Sequence, residues 1–260
     1  MKQHVFTRAR NRTALLALTI AAVVFQASSS ANHSWNGYHW ARTSNPFTVT
    51  LGDNVTAAWD PYLVGASADW NKSTVLDTSI ADGTVTKVRT CKGASGRVEV
   101  CNTTYGFNGW LGVAQVWVSG SHITQGTVKM NDSYFNTSTY NTPEWRAMVM
   151  CQEVGHTFGL DHQDEKFDNR NLGTCMDYTN DPFTNQHPNQ HDYDELAAIY
   201  SHLDSVSTVD APNAGGAAGA VLDNPSEWGA LMKSSRGGRM QVFERDFGNG
   251  HKIVTFVIWA

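Results

Sequence analysis

Apolar and polar residues alternate over Phe47–Leu51, a period of two that predicts a half-buried strand. Val113–Val118 and Ile123–Met130 are rich in β-branched residues and predict two more strands. Thr84–Thr90 and Arg97–Val100 read as shorter strands on either side of a Gly-rich segment. Helical signals fall between these runs. Asp60-Pro61 opens a helix through Trp70, with Asp at the cap and Pro in the first turn. Thr142-Pro143-Glu144 opens another with a cap, an N1 proline and an acid at the positive end, and Trp145, Met148 and Val149 give it a buried face. Asp192-Tyr193-Asp194-Glu195 has the form of a capping box and starts a last helix through His202. Leu196, Ile199, Tyr200 and Leu203 would be its apolar side.

After that helix the pattern changes. Ser205–Ala220 holds Ser, Ala, Gly and a Pro with almost no large side chains, and reads as a flexible linker. Order returns in residues 221–260, where Met240–Phe247 and Lys252–Trp259 flank Gly248-Asn249-Gly250, a hairpin signal. Forty residues bury too little to stand alone, so this piece is expected to dock on the preceding domain or on a partner.

The chain opens with Lys2, Arg8, Arg10 and Arg12 ahead of an apolar run from Ala14 to Phe25, then small residues through Ala31. That is the form of a secretory signal peptide over residues 1–31, so the expected location is extracellular. Its removal takes away four basic residues and no acid, moving the formal charge from −5 to −9. So acidic a remainder offers no basic patch for nucleic acid, and no later apolar run is long enough to span a membrane. The four cysteines of an exported chain are expected to pair, with three connectivities open. Cys91 and Cys101 suit a local bridge.

Chemistry concentrates in Cys151-Gln152-Glu153-Val154-Gly155-His156-Thr157-Phe158-Gly159-Leu160-Asp161-His162. On a helix Gln152 and His156 share a face at i and i+4, and Glu153 stands one step round. Gly159 suits a sharp turn that would return His162 beneath the same point. The stretch resembles the zinc signature H-E-x-x-H-x-x-G-x-x-H of metzincin metallopeptidases, with Gln152 in the place of the first His. Gly173-Thr174-Cys175-Met176-Asp177-Tyr178 resembles that family's Met-turn, and a Cys151–Cys175 bridge would tie it to the signature helix.

The resemblance implies an α+β, metzincin-like zinc-peptidase domain over 32–204: a twisted, mostly parallel sheet, the signature helix, the Met-turn and a C-terminal helix, with a β-hairpin extension over 221–260. It implies Zn²⁺ held by Gln152, His156 and His162, with Glu153 as general base. Tyr178 would hydrogen-bond the tetrahedral intermediate or act as a distant ligand, Met176 would form an apolar floor, and Gly159 would make the turn. Gly109–Ser119 resembles the edge strand that pairs with an extended protein or peptide substrate. Gln152 leaves three readings open: its amide oxygen ligates; another residue such as Asp161, Asp164 or a His from elsewhere completes the site; or the metal is lost. The expected function is therefore a secreted zinc endopeptidase. The alternatives are a catalytically silent module that binds protein or peptide, and an adhesion or structural module acting through residues 221–260.

Overall fold

The computed structural model describes residues 1, 32–212, 220 and 222–260. The signal-peptide reading and part of the linker reading therefore lie outside the described residues. From Asn32 the chain runs β1 (His39–Trp40), β2 (Phe47–Asn54), α1 (Asp60–Trp70), β3 (Leu76–Asp82), β4 (Val98–Thr103), β5 (Trp110–Ser119) and β6 (His122–Asn131). There follow α2 (Asp132–Phe135), α3 (Pro143–His156), α4 (Gln190–Ile199), β7 (Ala230–Ser234), β8 (Met240–Asp246) and β9 (His251–Trp259).

The described strands form one mixed sheet in the order β3-β2-β4-β6-β5-β9-β8-β7, with β1 beside the start of β6. The pairs β1–β6, β2–β3, β2–β4 and β4–β6 are parallel. The pairs β5–β6, β5–β9, β7–β8 and β8–β9 are antiparallel. Over residues 32–204 the sheet is thus mostly parallel, as expected, with β5–β6 its antiparallel pair; the C-terminal strands make the whole sheet mixed. Short turns can join only antiparallel neighbours, and the C-terminal residues add three such strands to the main sheet. The hairpin expected from Met240 to Trp259 is present as β8 and β9, but it continues the sheet instead of standing apart from it.

That continuation depends on strands buried on both faces. Ala114, Val116 and Val118 of β5, with Val254, Phe256 and Ile258 of β9, join the core shared with α1 and α3. Val113 and Trp117, with Ile253 and Val257, pack on the other face against Leu222 and Trp228. Without β9, the whole length of β5 would present an unpaired, apolar edge.

Local differences have local causes. Thr84–Thr90 forms no strand, because polar side chains hold it as a loop: Asn54 Oδ1 accepts from Val85 N–H at 3.1 Å and Glu99 Oε1 from the Thr84 hydroxyl at 2.7 Å. The last helix begins earlier and ends earlier than its pattern implied. Asn189 is the cap, accepting from His191 N–H and Asp192 N–H, and Asp192 closes the box as the third residue. Leu203 lies beyond the helix and is exposed. The first part of the linker is tied down, since Thr208 and Asp210 donate backbone N–H groups to Ala41 O and Gly96 O. Both expected disulfides, Cys91–Cys101 and Cys151–Cys175, are present. Among the described residues no helix is long and apolar enough to cross a membrane.

Candidate metal centre

α3 positions the first half of the site. Thr142 Oγ1 accepts from Trp145 N–H, Pro143 follows the cap, and the helix buries Met148, Val149, Gln152, Glu153 and His156 against the sheet. Three residues after His156 the chain must reverse. Gly159 does this with φ +93°, and a Cβ there would lie 2.1 Å from Tyr38 O. Two separate causes therefore exclude a side chain. Gly159→Ala is expected to cost at least ~2 kcal/mol from backbone strain alone, read as a lowered denaturant midpoint. The N-terminal segment braces this turn: Trp35 N–H donates to Gly159 O, Asp161 N–H to His33 O, and Trp40 Nε1 to Thr157 O.

The turn brings His162 against His156, with their Nε2 atoms 3.1 Å apart and both residues buried. Each ring is oriented through its other nitrogen. His156 Nδ1 faces Leu160 O at 2.9 Å, and that carbonyl can only accept, so the ring proton sits on Nδ1. His162 Nδ1 lies 3.2 Å from Asp161 Oδ1 and 3.1 Å from the Tyr178 hydroxyl. Both imidazoles thus turn an Nε2 lone pair toward the same point. Two facing lone pairs repel unless a cation or proton lies between them. Their spacing is close to the edge of a tetrahedron with zinc–nitrogen bonds of about 2.0–2.1 Å.

Gln152 stands one helical turn before His156. Its Nε2 donates to Cys175 O at 2.8 Å, a carbonyl held there by the Cys151–Cys175 bridge next door. Its Oε1 is buried with no hydrogen-bond partner, and so is Glu153 Oε2. Orphaned buried oxygens are costly; Gln152 Oε1, one helical turn before His156, is a third donor that fits a zinc ion with the two imidazoles, and Glu153 Oε2 is left as a free acceptor. Met176 is wholly buried under α3, where a Cβ on Gly155 would come 2.8 Å from its Sδ.

Charge in the site is set mainly by burial. Burial holds the Glu153 carboxyl well above the usual carboxylate range, opposed in part by a backbone hydrogen bond from Ala114. It also pushes His156 well below its ordinary value, reinforced by His162, and lowers His162, partly offset by Asp161. The Tyr178 hydroxyl is raised by burial and stays protonated. Asp161 goes the other way: burial would raise it, but His162 and Lys233 hold it below its ordinary range.

The residues expected from the sequence therefore converge, with two corrections. Asp164 does not complete the site, because its carboxylate is spent on Lys166 N–H and Asn169 within its own loop. Nor is Gly109–Ser119 an edge: β9 pairs with β5 from Trp110 to Ser119. The same C-terminal strands supply groups that no local signal announced. Phe256 of β9 stacks on the His156 ring at 4.2 Å between centroids and 7° between planes. Lys233 of β7 bridges Asp161 Oδ2 and Glu165 Oε1, each at 2.5 Å.

No protein-family model matches the chain, and no curated protein matches it. A solved structure similar to it is high choriolytic enzyme 1, a hatching-enzyme zinc protease from Oryzias latipes (medaka fish). The two share 11% identity over 66% of this chain and 99% of that one, with a TM-score of 0.37. Another is myroilysin, with 12% identity over 62% of this chain and 86% of that one, and a TM-score of 0.33. Likeness at this level carries no weight for function, which has to be read from the site's own geometry.

Proposed function

We propose that the chain is a metzincin-type zinc endopeptidase whose substrate strand position is filled by its own C-terminal β9. The observation that carries this reading is the pair of inward Nε2 lone pairs of His156 and His162 at 3.1 Å, beside the orphaned oxygens of Gln152 and Glu153. A zinc ion bound there by Gln152, His156 and His162 would acidify a water and polarise the scissile carbonyl. Glu153 would accept the proton of the attacking water and pass it to the leaving amine. Desolvation raises its proton affinity above that of an ordinary carboxylate, which favours uptake of the proton. The Tyr178 hydroxyl would serve as a donor to the oxyanion, and Asp161 keeps the His162 proton on Nδ1.

β9 lies antiparallel along β5, as an extended peptide would in β-augmentation. Glu153, His156 and His162 are all buried with the C-terminal strands in place. That closure also supports the second reading, a silent module. The two separate on one experiment. A specific protease site inserted within residues 205–220 would let the C-terminal strands leave, because a cut tether no longer holds them at high effective concentration. The cut protein, diluted, is expected to hydrolyse a generic protein substrate; a chelator should stop it and zinc should restore it. Cut and intact forms equally inert at full zinc occupancy would favour the silent module.

A further inference from the structure

Side chains alternate across a strand, so a segment lying along β5 turns every second residue toward the site. On the face of β5 that meets α3, Gly112 and Ala114 are followed by Val116 and Val118. In register with the two small residues stand Ile258 and Phe256 of β9. Small faces large at both places. A Cβ on Gly112 would lie 2.6 Å from Val149 Cγ1 and 2.8 Å from Glu153 Oε1, so Glu153 itself keeps that position bare. Opposite Ala114, the Phe256 ring lies flat on His156, with planes 7° apart and centroids 4.2 Å apart. Directly opposed residues share one space, and a larger side chain at Ala114 would contend with the ring for it.

The other face meets the residue before the ring. Thr255 stands in register with Gln115, and both are buried. Gln115 Nε2 donates to the Thr255 hydroxyl at 3.1 Å and to Leu222 O at 3.1 Å. Both protons of the amide are thus used. A strand with an apolar residue in the place of Thr255 would leave one of them unpaired in a dry interface, which is costly. Ile253 and Val257 flank Thr255 on this face, opposite Trp117 and Val113.

Taking the cleft as that of the peptidase proposed above, we propose that it recognises extended peptide segments in which Ser or Thr is followed by an aromatic residue, with branched apolar residues around the pair. The ring would lie on His156, beside the metal, and Gln115 would select the hydroxyl. Backbone pairing with β5 gives affinity whatever the sequence, and side-chain contacts at alternate positions give the choice. Ala114 and Gln115 are then the specificity-determining residues of β5.

The test uses the full chain cut within residues 205–220, both pieces present, and a labelled peptide spanning His251–Trp259. Binding is measured with chelator present, so that nothing is hydrolysed. The chain's own C-terminal piece competes equally with every peptide, so the order of affinities is read directly. A peptide carrying Phe256→Ala is expected to bind at least ~30-fold more weakly, as for a buried aromatic anchor. A peptide carrying Thr255→Val should lose roughly 5–10-fold, about one hydrogen bond. On the Gln115→Leu protein the Thr and Val peptides should bind equally while the Phe256→Ala loss remains. A merely structural role of Gln115 would weaken all three alike. Should Gln115→Leu fail to fold, the three peptides on the parent protein decide alone. With zinc restored, cuts in an unfolded protein should fall beside aromatic residues that follow Ser or Thr. Hydrolysis without that preference would overturn this proposal and leave the peptidase reading standing. Peptides of equal affinity, or no binding at all, would also overturn it. The expected peptide order without hydrolysis at full zinc occupancy would keep the recognition and remove the peptidase.

Discussion

Glu153→Gln is expected to lower hydrolysis by the opened protein ~10²–10⁴-fold, the usual contribution of a general base, while zinc content and fold stay unchanged. The amide has the carboxylate's shape but cannot take the proton of the attacking water. Shape matters here because there is no spare room: Val149 and Glu153 fill the space over Gly112, where a Cβ would come within 2.8 Å of Glu153 Oε1. Gln therefore fits where a larger side chain would not. Glu153 does not belong to the ligand set of Gln152, His156 and His162, so metal content separates loss of chemistry from loss of the site. Zinc analysis, circular dichroism and a protein-substrate assay on the cut form check all three points. Full activity in Glu153→Gln would rule out the mechanism.

The parts of this molecule legible in the sequence are those whose causes lie within a few residues. Thr142 and Pro143 start α3, Gly159 turns the chain, and the i, i+4 spacing puts Gln152 and His156 on one face. An even cysteine count, with Cys91 and Cys101 only ten residues apart, points to pairings that the structure contains. What escaped were causes that join distant segments. A strand's own pattern does not say which strand will pair with it. β9 reads as half of a hairpin with β8, and nothing in Lys252–Trp259 reveals that its other edge will take β5. The same limit hid Phe256 over His156 and Lys233 against Asp161. It also hid the grouping of His39, His122 and Asp204, which have no common spacing; only β1 pairing with β6 and the return of the chain after α4 unite them.

Gln152 is the position where a substitution should tighten the site. The expected order of zinc affinity is Gln152→His above the parent, and the parent above Gln152→Ala. The parent amide is already arranged as a ligand would be: Nε2 is spent on Cys175 O at 2.8 Å, and Oε1 is buried with nothing to bond. A histidine there could give its Nδ1 proton to the same carbonyl and turn Nε2 inward, as His156 does with Leu160 O. Zinc prefers that nitrogen to a neutral amide oxygen, so affinity should rise. Alanine leaves two imidazoles and an unpaired Cys175 carbonyl, and should weaken binding by ~10–100-fold or more, at least the penalty for disturbing a ligand's support. Competition against a chromophoric chelator, compared across the three forms, reads the change at this one site. Turnover need not follow the same order, because tighter binding leaves the ion's charge unchanged. Equal affinity for the Gln and Ala forms would mean that Gln152 is no ligand. Asp161 cannot simply replace it, since its two oxygens are committed to His162 and Lys233. Zinc binding only after Gln152→His would instead mark a fold that has kept its pocket and lost its metal.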